Sequence, residues 1–162
     1  MSSKGSTSPE ESGVEETGAE EGAPSEETRR VDLTWKEGMR FEARTGRGAV
    51  TTIDGEGKLS ASPVELLLES LGACAGIDVV EILRKGRHPV EDLEVSVEGR
   101  RREEAPRRYE SMELVFRIRG DVPRKAAERA VELSLGTYCS VFHTLADDLE
   151  LTTAVELEPG AG

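Results

Sequence analysis

The chain contains two cysteines, Cys74 and Cys139, and they carry its most specific chemistry. A thiolate is a strong nucleophile, and two thiols that meet can pass through a sulfenic acid to a disulfide. They stand 65 positions apart, so only tertiary structure can pair them. Cys74 lies in Gly72-Ala73-Cys74-Ala75-Gly76, a run of small residues. A helical glycine costs about 1 kcal/mol relative to alanine, so two of them flanking one cysteine imply close approach of another backbone or helix. The same run also reads as helix packing around a small buried thiol. Cys139 follows Gly136-Thr137-Tyr138 and precedes Val141-Phe142, which places it at the start of a short helix over residues 139–148. Unpaired N–H groups and the positive dipole end favour a thiolate there and would depress its pKa. The alternative is again a core thiol.

Cys139 and His143 are spaced i, i+4 and share a helical face, which could begin a Cys-His pair or a metal site. Four convergent ligands are hard to assemble from two cysteines and two histidines, with His88 placed in a turn, so neither metal nor cofactor is expected. Asp78 falls one turn after Cys74 on a largely apolar helix. A lone charge there is costly, so it should pair with a buried Arg or face a subunit crevice.

These residues need elements to hold them. Ser62-Pro63-Val64-Glu65 combines an N-cap serine, a proline in the first helical position and a capping-box glutamate. The helix should run to Lys85, with Gly86 as cap and Arg84 and Lys85 at the negative dipole end. Nearly every face of Val64–Leu83 is apolar or small, so several sides must be covered. Before it, Val31–Ile53 carries two or three short strands broken at Gly38, Gly46 and Gly48. After it, Leu93-Val95-Val97 and Met112-Leu114-Phe116-Ile118 alternate with polar residues, the mark of an antiparallel pair of half-exposed strands joined by the charged turn Arg100–Arg108. Pro123 opens a helix to about Leu135, and Leu151–Leu157 closes the chain with a strand. This order is that of an α+β domain.

Composition narrows the function classes. The 162 residues hold 33 acidic and 21 basic side chains, a net charge of -12, so the dense basic face that nucleic acid requires is not expected. Glu65, Glu69, Asp78 and Glu81 interrupt the longest apolar stretch and exclude a membrane helix there. No secretory signal is visible, which points to the cytoplasm, where two cysteines are free or redox-active thiols rather than a scaffold. Residues 1–28 set eight Glu against one Lys, with Met1 and Val14 the only large apolar side chains. Such a segment cannot offset an ordering entropy of roughly 1–2 kcal/mol per residue and is expected to be a disordered acidic tail. It precedes a domain over residues 29–158 and a short flexible end at 159–162.

Ser62-Pro63-Val64-Glu65-Leu66-Leu67, Gly72-Ala73-Cys74-Ala75-Gly76-Ile77-Asp78-Val79-Val80, Arg101-Arg102-Glu103-Glu104-Ala105-Pro106-Arg107 and Tyr138-Cys139-Ser140-Val141, in that order, resemble the OsmC/Ohr superfamily, and more narrowly its OsmC-like redox-protein branch. The likeness spans roughly residues 31–157. It implies an intertwined homodimer whose long central helices pack together against antiparallel sheets, with the thiols at the interface. It also implies Cys74 as peroxidatic and Cys139 as resolving cysteine, acting on organic hydroperoxides with a dithiol or lipoylated protein as reductant. The peroxidase branches carry a catalytic Glu ten residues before the first cysteine, where this chain has Val64, with Glu65 beside it. They also use an Arg from an early strand turn, for which Arg40, Arg44 and Arg47 compete, and often a Pro where Ser140 stands. The resemblance therefore yields Cys74, Cys139, Arg40 and Glu65 as site residues, with a non-catalytic dimer that binds a small apolar ligand as the other reading.

Overall fold

The computed structural model describes residues 28–161, so the tail expected over residues 1–28 lies, but for Thr28, outside the described residues. Strands Val31–Glu37 (β1), Arg40–Thr45 (β2) and Val50–Asp54 (β3) come first, and helix Pro63–Lys85 (α1) follows. Strands Val90–Arg101 (β4) and Tyr109–Gly120 (β5), helix Arg124–Leu133 (α2) and strand Glu150–Glu158 (β6) complete the chain. β1, β2 and β3 form one antiparallel sheet, and β4, β5 and β6 form a second with β5 in the middle.

The start of α1 is built as its sequence directs. The Glu65 carboxylate accepts the backbone N–H of Ser62 at 2.8 Å and its hydroxyl at 2.5 Å. Upstream, the Asp54 carboxylate gathers the N–H groups of Glu56, Lys58 and Leu59 at 3.0–3.1 Å, which ties the loop from β3 and holds its pKa below the ordinary value. Gly86 is the C-cap but stays right-handed; the left-handed residue is Arg87, at φ 60°, which turns the His88 N–H onto the Leu83 carbonyl at 3.0 Å.

In the second sheet, register sets Leu93, Val95 and Val97 of β4 opposite Ile118, Phe116 and Leu114 of β5. These residues face α1, whose buried stripe is Leu71, Gly72, Ala75, Gly76, Val79 and Leu83. Leu71, Val79, Leu83, Leu114, Phe116 and Ile118 are almost fully buried, each contributing about 1.5–3 kcal/mol. The close approach inferred at Gly72 and Gly76 is to β4. A Cβ on Gly72 would stand 2.7 Å from Val97, and one on Gly76 3.2 Å from Val95. The outer face of the sheet is polar, with Arg117 reaching Glu94, Ser96 and Glu156 at 2.8 Å each.

Two expectations are corrected. β6 pairs with β5 in parallel, so the second sheet is mixed rather than antiparallel. Alternation reports which face of a strand is buried and is blind to its direction. The helix expected over residues 139–148 is also missing. α2 ends at Leu133, a π-helical turn covers Ser134–Tyr138, and only a single 3-10 turn, Phe142–Thr144, lies beyond it.

Gly120, which ends β5 at φ 139°, has no room for a side chain: a Cβ would sit 2.1 Å from the Pro89 carbonyl oxygen. Gly120→Ala should destabilise the protein by at least about 2 kcal/mol in urea unfolding. Gly136→Ala, with nothing within 4 Å, should stay within about 1 kcal/mol of the native chain.

Candidate functional site

Cys74 and Asp78 occupy successive turns of α1, beside the stripe that meets the sheet. Opposite them comes the π-helical turn. Its wider winding lets the Cys139 N–H donate to the Ser134 carbonyl five residues back, at 2.8 Å, and so fixes Cys139 where the turn ends. The Ser134 hydroxyl donates to Asp78 Oδ2 at 2.9 Å, with the Ala75 carbonyl 3.5 Å away. One buried serine therefore ties the second cysteine's backbone to the carboxylate beside the first. The two Sγ atoms and an Asp78 carboxylate oxygen all lie within 4.8 Å of one another. Both cysteines are free thiols; Cys74 is half-buried and Cys139 wholly buried.

Burial raises the Cys139 pKa to about 11, and Cys74 and Asp78 add to the rise because both neighbours turn negative on ionisation. This reverses the thiolate expected at a helix start. Cys139 caps the end of a turn rather than opening a helix, and the Phe142 backbone N–H that reaches its sulfur lowers the pKa by less than burial raises it. Cys139 is thus the sealed member of the pair and Cys74 the more exposed one. A disulfide needs about 2.05 Å between sulfurs, so closing it is a short side-chain movement.

The other residues singled out from sequence lie apart from this cluster. Glu65 is spent on the helix cap, where Ser62 holds its pKa down, and nine residues of helix put it about 13 Å along the axis from Cys74. Arg40 pairs with Glu37 on the first sheet, and Arg44 pairs with Glu42 at 3.5 Å. His143 is exposed and meets Cys139 through its backbone N–H, at 3.2 Å, so the two do not form a side-chain pair on a helix. Of the two placements expected for Asp78, pairing with a buried Arg is replaced by a hydrogen bond from Ser134. Among the described residues the cluster offers three donor atoms, one short of a closed zinc site. Ser134 was missed because a serine in Val-Glu-Leu-Ser-Leu-Gly gives no sign that the helix will widen beneath it.

A long helix laid on a sheet, presenting one accessible thiol to a second buried thiol, defines a two-cysteine α+β protein. The family model described as OsmC-like protein matches residues 55–154. Protein YhfA of Escherichia coli K12 is 41% identical over 127 residues, which is 77% of this chain and 95% of that one. The crystal structure of a hypothetical protein from Aquifex aeolicus superposes with a TM-score of 0.72 at 36% identity, covering 82% of this chain and 98% of its own. An organic hydroperoxide resistance protein from Elizabethkingia anophelis shares the fold, with a TM-score of 0.62 at 15% identity over 80% of this chain and 96% of its own. The chain belongs to the OsmC-like family.

N-ethylmaleimide at pH 8 should therefore modify Cys74 first and leave Cys139 unmodified until the protein unfolds. Peptide mapping that found both labelled equally fast in the native chain would contradict this geometry.

Proposed function

We propose that the protein is a thiol peroxidase that reduces organic hydroperoxides through Cys74 and Cys139. The observation that carries this reading is the pair of sulfurs within 4.8 Å, one half-buried and one sealed. The Cys74 thiolate attacks the distal peroxide oxygen, the O–O bond breaks, and the alkoxide leaves as alcohol after taking a proton. Cys139 then displaces hydroxide from the Cys74 sulfenic acid, and a dithiol, free or on a lipoylated protein, reduces the resulting disulfide. Kinship to the OsmC-like family supports the assignment, as does a fold shared with a hydroperoxide resistance protein.

The working unit in this reading is a homodimer. Leu33 and Trp35 of β1 lie in register with Ala43 and Phe41 of β2 on one face, and Trp35 is 62% exposed in the single chain. Ile77 on the open side of α1 is 66% exposed and borders a groove of about 1230 Å³ between α1 and β4. Apolar surface on this scale is what a second copy covers. Exchange of the first sheet between copies would also bring an arginine such as Arg40 to a thiol site whose Cys139 feels a carboxylate but no cation among the described residues of one chain. The second reading, a non-catalytic dimer that binds a small apolar ligand, draws support from that groove and from Val64 in place of the catalytic Glu.

Cumene hydroperoxide turnover with dihydrolipoamide should fall at least about 10³-fold in Cys74→Ser. Cys139→Ser should still consume one equivalent and then stall. Turnover that survives Cys74→Ser rejects the peroxidase assignment, and thiols unchanged after one equivalent of peroxide favour the binder. Sedimentation should give twice the 17.6 kDa chain mass, and Trp35→Asp should shift it toward the monomer; a monomeric native protein would contradict the dimer.

A further inference from the structure

The resolving step poses a problem that the peroxidase reading leaves open. Cys139 must attack as a nucleophile, yet it sits fully buried with acidic neighbours and keeps its proton. Among the described residues, the titratable groups that face it are Cys74 and Asp78 of α1. On its own segment, the exposed His143 touches it through the backbone, and the His143 ring lies against Phe142 with centroids 5.6 Å apart. After peroxide attack Cys74 is a neutral sulfenic acid. Asp78 then supplies the one carboxyl group of the cluster.

We propose that Asp78 is the general base of disulfide closure, taking the proton of the Cys139 thiol as that sulfur attacks the Cys74 sulfenic acid and returning it to the departing hydroxide. The proposal rests on the peroxidase reading. The step balances: a sulfur–sulfur bond forms, the sulfur–oxygen bond of the sulfenic acid breaks with its electron pair on oxygen, and the proton carried by Asp78 turns that hydroxide into water. Ser134 is the positioning residue. Its hydroxyl donates to Asp78 Oδ2 at 2.9 Å, which aims the carboxylate, while its carbonyl fixes the Cys139 backbone. Asp78 also shares α1 with Cys74, one turn away, so the base and the electrophilic sulfur move as one body.

The test is single-turnover oxidation of the full chain by one equivalent of cumene hydroperoxide, followed by intact mass with dimedone as sulfenic acid trap. Wild-type protein should lose two hydrogens and give little dimedone adduct. Asp78→Asn keeps a partner for Ser134 but cannot accept the proton. It should accumulate the Cys74 adduct and close the disulfide about 10²-fold more slowly, the usual worth of a positioned base. Asp78→Glu should recover most of the rate. The pH slope separates chemistry from packing. Between pH 6 and 8 the wild-type closure rate should be nearly flat, whereas in Asp78→Asn it should climb about tenfold per pH unit, because solvent hydroxide must then remove the proton from Cys139. Closure in Asp78→Asn at the wild-type rate, or slowed with an unchanged slope, overturns the proposal. A wild-type chain in which neither cysteine is oxidised removes the peroxidase reading, and the proposal with it.

Discussion

The site depends on the seating of the π-helical turn against α1. Ser134 donates its side chain to Asp78 and accepts the Cys139 N–H at its carbonyl, so one residue carries both halves of the contact. Ser134 is fully buried, and loss of its hydroxyl would remove the hydrogen bond to the half-buried Asp78 carboxylate. Holding Cys139 this way places a sulfur at a fixed distance from Cys74. Burial there raises the Cys139 pKa, with Cys74 and Asp78 adding to the rise, so two chemically identical side chains stand in different settings.

The sheet sets the other side of the helix. Gly72 and Gly76 let α1 lie close on Val95 and Val97 of β4, which turns Cys74 and Asp78 toward α2 and the π-helical turn. The small residues around Cys74 thus serve the packing of the opposite face, and the thiol gains its position from that packing. The third side of α1, with Ile77 and Arg84 exposed, remains open beside the groove. α1 is thus covered on two sides out of three, and Trp35 of the first sheet is exposed in the single chain.

Much of this frame was legible in the residues. Ser62-Pro63-Val64-Glu65 and the basic pair Arg84-Lys85 bounded α1, because capping chemistry is local and α1 uses it. Alternation in Leu93–Val97 and Met112–Ile118 gave the pairing of β4 with β5. What could not be read was non-local. The direction of β6 depends on the path of the chain after Thr144, and alternation is the same for either direction. The π-helical turn arises because Ser134 and Cys139 are held by tertiary contacts, and glycine at 136 suggested a break with a fresh helix at Cys139. That one misplacement reversed the sign of the Cys139 pKa shift. Asp78 was singled out correctly as a charge needing a partner, although the partner proved to be a hydroxyl.

The most direct measurement is the connectivity of the disulfide formed on oxidation. An equimolar mixture of 14N- and 15N-labelled protein, exchanged before mild oxidation and digested without reduction, separates links within a chain from links between chains. The predicted product is a Cys74–Cys139 peptide pair carrying one isotope throughout. Hybrid pairs joining light and heavy peptides, or both cysteines recovered unlinked, would contradict a site in which one chain sets its own two sulfurs side by side.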